Sequence, residues 1–231
     1  MKKKILFTLF FIILGIISLQ IQLSPIVEGK GRAFTLFEFL GPTCGMFLNS
    51  LWGALVVFSI KFFNALWHGK FTLPVIIGFF TLPLGALYFG LEKNKTLNKL
   101  ILIVPILAIL LFVLHPEGRK AWFFSIFWLI PIFAYFKKER LIFNSLGSTF
   151  LAHSIGSVAF LYAFNIPAPV WIALIPVVII ERGCFALGIW ASYLLLNNLF
   201  EIISQKIKLP ILKELVNKNY LVWQENFLRY F

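Results

Sequence analysis

Four ionisable side chains lie deep inside apolar segments of this 231-residue sequence: Lys61, His153, Glu181 and Arg182. Charged groups at such depth in a membrane are costly, and they usually face the interior of the helix bundle or a water-filled cavity. We therefore expect them to line one site. Lys61 or Arg182 would contact a negative group of a ligand, and His153 and Glu181 would hydrogen-bond to the ligand. The alternative is purely structural. Glu181 would then pair with Lys61 or Arg182, and His153 would bond to a backbone carbonyl group.

Polar residues on the same segments complete the expected ligand-binding set. Hydroxyl and amide side chains near the ionisable groups supply further hydrogen bonds to a small molecule. The full set is Lys61, Asn64, Thr149, His153, Ser157, Glu181 and Arg182.

No catalytic signature accompanies these residues. Ser148 and His153 are five residues apart and do not share a helical face, so a serine–histidine dyad would need a histidine from another helix. The sequence has no HExxH motif, no paired acidic DxxD motif and no glycine-rich phosphate loop. We expect no catalytic residue, no metal and no cofactor, and hence not an enzyme. An intramembrane enzyme that acts on lipid or peptide is the alternative.

The composition places these residues in a membrane protein. Hydrophobic residues make up 60% of the chain and charged residues 13%, against about 25% charged residues in soluble domains. The net charge of +12 comes from short basic clusters between apolar runs, which is a signal of membrane topology. We therefore expect the lipid bilayer as a partner, and no nucleic acid.

The apolar segments predict an all-α bundle of transmembrane helices. A single helix over 36–67 would be about 48 Å long, well beyond the hydrocarbon core of about 30 Å. Because Gly41-Pro42 and Asn49-Ser50 interrupt it, we predict a hairpin of two helices over 36–48 and 51–67, which gives about eight passes. The segments run approximately over 5–24, 36–67, 71–91, 100–114, 121–136, 144–164 and 169–200.

The positive charges orient the bundle. With eight passes, one side collects 14 of the 21 Lys and Arg residues and the other side five, while Lys61 and Arg182 lie at membrane depth. The positive-inside rule then predicts a multi-pass protein of the cell membrane with both termini in the cytoplasm. Seven passes, with 36–67 crossing once, would divide the charges 13 to six and place the amino terminus outside. Charge alone leaves both topologies open.

The chain after residue 200 has a different character, which divides it into a transmembrane domain over 1–200 and a tail over 201–231. Pro210 suits a first helical turn. Apolar residues at helical spacing then predict an amphipathic helix on the cytoplasmic interface, and docking on a partner subunit is the alternative. The apolar residues are Ile211, Leu212, Leu215, Val216, Val222, Trp223 and Phe227.

Three rows of small residues, spaced four apart, predict close helix packing. Small side chains at this spacing let membrane helices approach one another closely. The rows are Gly41 and Gly45; Ser148, Ala152 and Gly156; and Cys184, Gly188 and Ser192.

About half of the chain resembles a transporter family. The runs that carry the resemblance are Phe37-Glu38-Phe39-Leu40-Gly41-Pro42, Leu51-Trp52-Gly53-Ala54-Leu55-Val56-Val57, Gly78 to Gly90 with Glu92-Lys93-Asn94-Lys95, and Gly147 to Tyr162 with Trp171 to Arg182. They are similar to helices of the substrate-binding S-components of energy-coupling factor (ECF) transporters. The resemblance implies a transmembrane coupling subunit and ATPases as partners, and ligand contacts from the last two helices.

These features together predict the solute-binding subunit of a transporter, which captures a vitamin-like or other small solute from the outer side. The cavity would lie between the 36–67 hairpin and the last two segments. Energy would come from partner subunits, because the sequence has no ATP-binding motif. A membrane scaffold or assembly protein without a ligand is the alternative from a different class.

Overall fold

Helices make up most of the residues that the computed structural model describes, which are 2–25, 33–91, 97–206 and 210–222. The helices are α1 (Lys2–Gln20), α2 (Phe37–Leu48), α3 (Ser50–Trp67), α4 (Leu73–Phe89), α5 (Leu97–Leu100), α6 (Ile103–Leu114), α7 (Pro116–Lys120), α8 (Ile130–Tyr135), α9 (Leu141–Phe164) and α10 (Ala168–Lys206). A 3₁₀ segment, Trp122–Leu129, leads directly into α8. The predicted all-α class is confirmed.

Among the described residues, three helices are long and apolar enough to cross a membrane: α3, α9 and α10. These helices support the predicted membrane protein. Further apolar helices are shorter; α6 has 12 residues, or about 18 Å of helix, which is less than a hydrocarbon core of about 30 Å. The eight-pass topology therefore stays a prediction. The basic residues Lys30, Arg32, Lys93, Lys95, Lys208 and Arg229, which enter that charge count, lie outside the described residues.

The predicted break in the segment 36–67 is confirmed, and Asn49 makes it. Asn49 has a φ of 92° and a ψ of 146°, a backbone conformation that cannot continue a helix. Its side chain accepts a hydrogen bond from the backbone N–H of Leu51 at 3.3 Å. Pro42, by contrast, lies inside α2 and does not interrupt it. The interruption expected at Gly41-Pro42 is therefore wrong.

A short β-hairpin, which the sequence analysis did not predict, connects α1 to α2. Its strands are β1 (Gln22–Pro25) and β2 (Ala33–Thr35), and they pair antiparallel. The backbone N–H of Leu36 donates to the carbonyl of Ile21 at 2.9 Å, so the base of the hairpin is closed. Strands of three or four residues are too short to show an alternating pattern.

Helix α4 packs against α2, α3 and α9, and α10 packs against α2 and α9. The predicted small-residue face of α9 contacts α4: the buried Ser148 hydroxyl donates to the Gly85 carbonyl at 2.8 Å, and Gly156 lies next to Thr81. The row on α10 is only partly an interface. Gly188 lies against the ring of Phe39, whereas Cys184 is exposed.

The described part of the tail does not form the predicted amphipathic helix. Helix α10 continues past residue 200 to Lys206, and the chain then forms two 3₁₀ turns, Pro210–Glu214 and Lys218–Tyr220. The side chain of Asn197 on α10 donates to the Asn217 carbonyl at 3.0 Å and accepts from the Asn217 N–H at 2.8 Å. These bonds satisfy backbone groups that a helix would have bonded internally. The predicted tail residues Trp223 and Phe227 lie outside the described residues.

The carboxylate of Glu117, in α7, links α7 to the first residue of α10. Its Oε2 accepts a hydrogen bond from the backbone N–H of Ala168 at 2.8 Å, and its Oε1 pairs with Nζ of Lys120 at 2.6 Å. The hydrogen bonds from Lys120 and then from Ala168 lower the pKa of Glu117 below its usual range. A negative charge at this position also interacts favourably with the dipole of α10.

This lowered pKa predicts a pH-dependent contribution of Glu117 to stability. A carboxyl group with a depressed folded pKa stabilises the protein above its unfolded pKa, about 4.3 for Glu, and the contribution is lost as the pH falls through the folded pKa. We expect Glu117→Gln to lower the melting temperature at pH 7 and to flatten its decline between about pH 5 and pH 3. Thermal unfolding in detergent measures both. The exposed Glu139 supplies the control, Glu139→Gln, and equal melting temperatures of the two variants at pH 7 would contradict the prediction.

Candidate functional site

A cavity of about 850 Å³ lies between α3, α4, α9 and α10, with β2 and the end of α1 along its edge. All seven side chains that the sequence analysis placed in one site line this cavity. They are Lys61, Asn64, Thr149, His153, Ser157, Glu181 and Arg182. Binding pockets for small molecules commonly measure about 300–1,000 Å³, so the cavity has the volume of a solute site.

Lys61 forms an ion pair across the helix hairpin. Its Nζ donates to Oε1 of Glu38 on α2 at 3.0 Å, and the two side chains are only 17% and 22% exposed. Glu38 also lines the cavity. Glu38 was not predicted as a site residue. The available signal was its position, as an acidic residue, inside the same apolar segment as Lys61.

Glu181 and Arg182 form a second ion pair on α10. Nη2 of Arg182 lies 3.3 Å from Oε2 of Glu181, and Nη1 donates to Oγ1 of Thr149 on α9 at 3.4 Å. The guanidinium plane lies over the ring of Phe185 at 4.3 Å from its centroid, a distance that gives a cation–π interaction. Of the two partners that the structural alternative offered to Glu181, the structure therefore selects Arg182.

The imidazole of His153 is held between two side chains. The indole N–H of Trp128 donates to Nδ1 at 3.2 Å, and Nε2 lies 3.3 Å from Oγ of Ser157. Because an indole N–H can only donate, Nδ1 must accept, and the proton of the neutral imidazole is then on Nε2. His153 thus donates to Ser157. The backbone carbonyl expected as its structural partner is replaced by Trp128 and Ser157.

This hydrogen-bond direction bears on nucleophilic chemistry. A serine nucleophile needs a base that takes its proton, but the nitrogen facing Ser157 already carries one. The hydroxyl of Ser148 donates its hydrogen bond to the Gly85 carbonyl. Neither hydroxyl is therefore arranged as a nucleophile activated by His153.

One end of the cavity is polar and lies near chain turns. Gln22, Thr35, His68 and Lys70 line it there, beside the β-hairpin and the turn between α3 and α4. Asn64 belongs to this end and also borders a second, apolar cleft of about 640 Å³ between α1 and α3. Rings form much of the remaining wall of the larger cavity. They are Phe34, Phe79, Phe124, Phe160, Trp171 and Phe185.

Within the described ranges, no group of three His, Cys, Asp or Glu residues is placed to hold a metal ion. Cys44 and Cys184 are free thiols, the first buried and the second exposed. The polar groups at the cavity are instead amide, hydroxyl, carboxylate and cationic side chains, which suit hydrogen bonding and ion pairing with an organic molecule.

Comparisons with known proteins give the chain a relative of similar length. An uncharacterized protein of Methanocaldococcus jannaschii is 26% identical over 262 aligned positions, which cover 98% of this chain and 83% of that protein. No family model matches the chain. No solved structure matches it either.

Proposed function

We propose that this membrane protein binds a small solute in the 850 Å³ cavity and serves as the solute-binding subunit of a transporter. The supporting observation is the position of two ion pairs, Glu38–Lys61 and Glu181–Arg182, on the wall of one cavity. Ionisable groups inside a membrane are costly to keep, and they usually mark a pathway or a binding site. Aromatic rings beside them would contact the apolar part of the solute.

The proposed direction of entry follows from the polar end of the cavity. His68 and Lys70 lie after α3, and Ile166 lies after α9. In the eight-pass topology, with both termini in the cytoplasm, these turns lie on the opposite side of the membrane. A solute would then enter from outside. By the resemblance to S-components, a transmembrane coupling subunit and ATPases would supply the energy.

Native mass spectrometry of the purified full chain tests solute binding. We expect a retained small molecule, and we expect Gly78→Phe to remove it. Gly78 lines the cavity, the nearest atom to a Cβ there would be Lys61 Nζ at 3.8 Å, and the phenyl ring would fill part of the volume. The matched control is Gly183→Phe, because a Cβ at Gly183 would meet nothing within 4 Å and Gly183 does not line the cavity. The control variant should keep the molecule.

Copurification of partners tests the transport role. A tagged chain should bring down a transmembrane coupling subunit and ATPases from the native membrane. If the chain brings down neither of them and retains no small molecule, the transporter proposal is wrong, and a scaffold or assembly role takes its place.

A further inference from the structure

Two residues on the wall of the cavity each carry a buried polar atom without a hydrogen-bond partner. In the described parts of the chain, three buried side-chain polar atoms have no hydrogen-bond partner: Thr35 Oγ1, Asn144 Oδ1 and Arg182 Nε. Thr35 and Arg182 line the cavity, and Asn144 does not. Leaving a buried polar group without a partner costs about 1–3 kcal/mol, so two such groups at one cavity need a common physical reason.

Arg182 has more donors than its neighbours use. A guanidinium group carries five N–H donors, and the described contacts to Thr149 and Glu181 engage one each, at 3.4 and 3.3 Å. Charge-assisted hydrogen bonds are normally shorter, about 2.7–2.9 Å. The side chain is 12% exposed, and Phe185 supports its plane. The group is therefore held in place, and three of its five N–H donors, including that of Nε, are not used in these two contacts.

Thr35 lines the same cavity from the β-hairpin. The ring of its neighbour Phe34 lies 5.9 Å from Cζ of Arg182 and packs edge-on against Phe185 at 4.6 Å between ring centroids. These contacts hold β2 against α10. The hydroxyl of Thr35 can donate to an acceptor and needs one.

We propose that Arg182 and Thr35 bind the anionic group, a carboxylate or a phosphate, of the molecule in the cavity. This rests on the proposed solute binding and names the chemistry of the solute. The N–H donors of a guanidinium match two oxygens of an oxyanion in a bidentate geometry, and the Thr35 hydroxyl is a further donor on the wall of the same cavity. Phe124, Phe160 and Trp171 line the cavity farther along its wall. The solute therefore has an anionic head and an apolar or aromatic body.

A matched pair of probes tests the charge requirement. The full chain in neutral detergent is titrated with 3-phenylpropionate, with its uncharged amide 3-phenylpropanamide, and with inorganic phosphate, and thermal unfolding reports binding. We expect the carboxylate or phosphate, and not the amide, to raise the melting temperature. A lipid headgroup carries the same anionic chemistry, so a parallel series in nanodiscs compares phosphatidylglycerol with phosphatidylcholine. Stabilisation by phosphatidylglycerol alone would support the proposal and assign the anion to lipid.

Variants localise the anion. Arg182→Gln and Thr35→Val should each weaken anion binding at least tenfold, and Arg140→Gln, at an exposed arginine, should not change it. Arg182→Gln leaves Glu181 without its cation, so Arg182→Lys and the double variant Glu181→Gln/Arg182→Gln keep the test valid if the single variant fails to fold. Arg182→Lys keeps the cation without the planar fork and should weaken the preference for the carboxylate over the amide, whereas the double variant should lose that preference.

Three results would overturn the anion site: equal stabilisation by the carboxylate and the amide, anion binding unchanged in every Arg182 variant, or no stabilisation by any anion or anionic lipid. If a retained molecule is nevertheless lost in Gly78→Phe, the cavity binds a solute by other chemistry. If no molecule is retained at all, solute binding itself is wrong. The two failures are thus distinguishable.

Discussion

Replacing Gly45 by alanine is expected to disrupt the packing of α2 on α4 and to cost at least about 3 kcal/mol of stability, at or above the upper end of typical overpacking effects. A methyl group at Gly45 would overlap the backbone carbonyl of Ala86 and lie 3.1 Å from the backbone nitrogen of Gly90. Both neighbours are backbone atoms, so no side-chain rotation relieves the overlap. The helices would have to separate.

Gly41 supplies the control within the same GxxxG motif. A methyl group there would meet Cδ2 of Leu82 at 2.9 Å, and that atom is the end of a flexible side chain. We expect Gly41→Ala to cost less than about 1.5 kcal/mol, as volume changes that neighbours can absorb usually do. Thermal unfolding and size-exclusion profiles in detergent compare the two variants. Equal losses of stability in the two variants would contradict the close contact of Gly45 with the α4 backbone.

The comparison of these two glycines shows what the sequence could reveal about packing. The motif predicts that small residues face another helix, and the structure places both glycines at an interface with α4. Spacing alone gives both positions the same weight. Gly45 faces the backbone of α4 and Gly41 faces a side chain of α4. This difference depends on how the two helices are aligned in the tertiary structure, which residue spacing in one helix does not specify.

Seven of the polar residues that line the cavity were predictable from the sequence, whereas Glu38, Thr35 and the partners in the ion pairs were not. The cost of charge in an apolar environment explains why seven polar residues on three helices share one cavity. The choice of Glu38 for Lys61 depends on how the α2–α3 hairpin folds back at Asn49. Thr35 was not predicted as a site residue either, because β2 reaches the cavity through the pairing of two very short strands.

The tail shows where helical spacing misleads. Leu215 and Tyr220 are buried in the same apolar cluster as Phe200 of α10, so these two side chains of the tail pack on protein. Hydrogen bonds from Asn197 and Asn198 to the tail backbone then stabilise turns in place of a helix. Hydrogen bonds from two polar residues of α10 thus override the helical periodicity of the tail.

The ion pair of Lys61 carries the second large expected effect. Replacing Lys61 by methionine removes the cation and leaves the Glu38 carboxylate, 22% exposed, without its partner at 3.0 Å. Breaking a buried ion pair in this way typically costs about 3–5 kcal/mol, mostly because the remaining charge is uncompensated. We expect a loss of about 3 kcal/mol, measured by unfolding in mixed micelles with increasing denaturing detergent.

Lys120 provides a control, because it also forms an ion pair with a glutamate but is much more exposed than Lys61. Lys120 lies 2.6 Å from Glu117, and its side chain is 66% exposed. Surface ion pairs contribute about 0–1 kcal/mol, so Lys120→Met should have a small effect. Equal losses for Lys61→Met and Lys120→Met would contradict the buried character of the Glu38–Lys61 pair.

The double variant Glu38→Gln/Lys61→Met separates stability from binding. Because both charges are removed together, it should recover most of the stability lost in Lys61→Met. A pair that serves only the packing of α2 on α3 would leave the retained solute unchanged in the recovered protein. A pair that belongs to the site would leave the protein folded and the cavity empty, and native mass spectrometry distinguishes these outcomes. We expect the second result, because both side chains line the cavity as well as contacting each other.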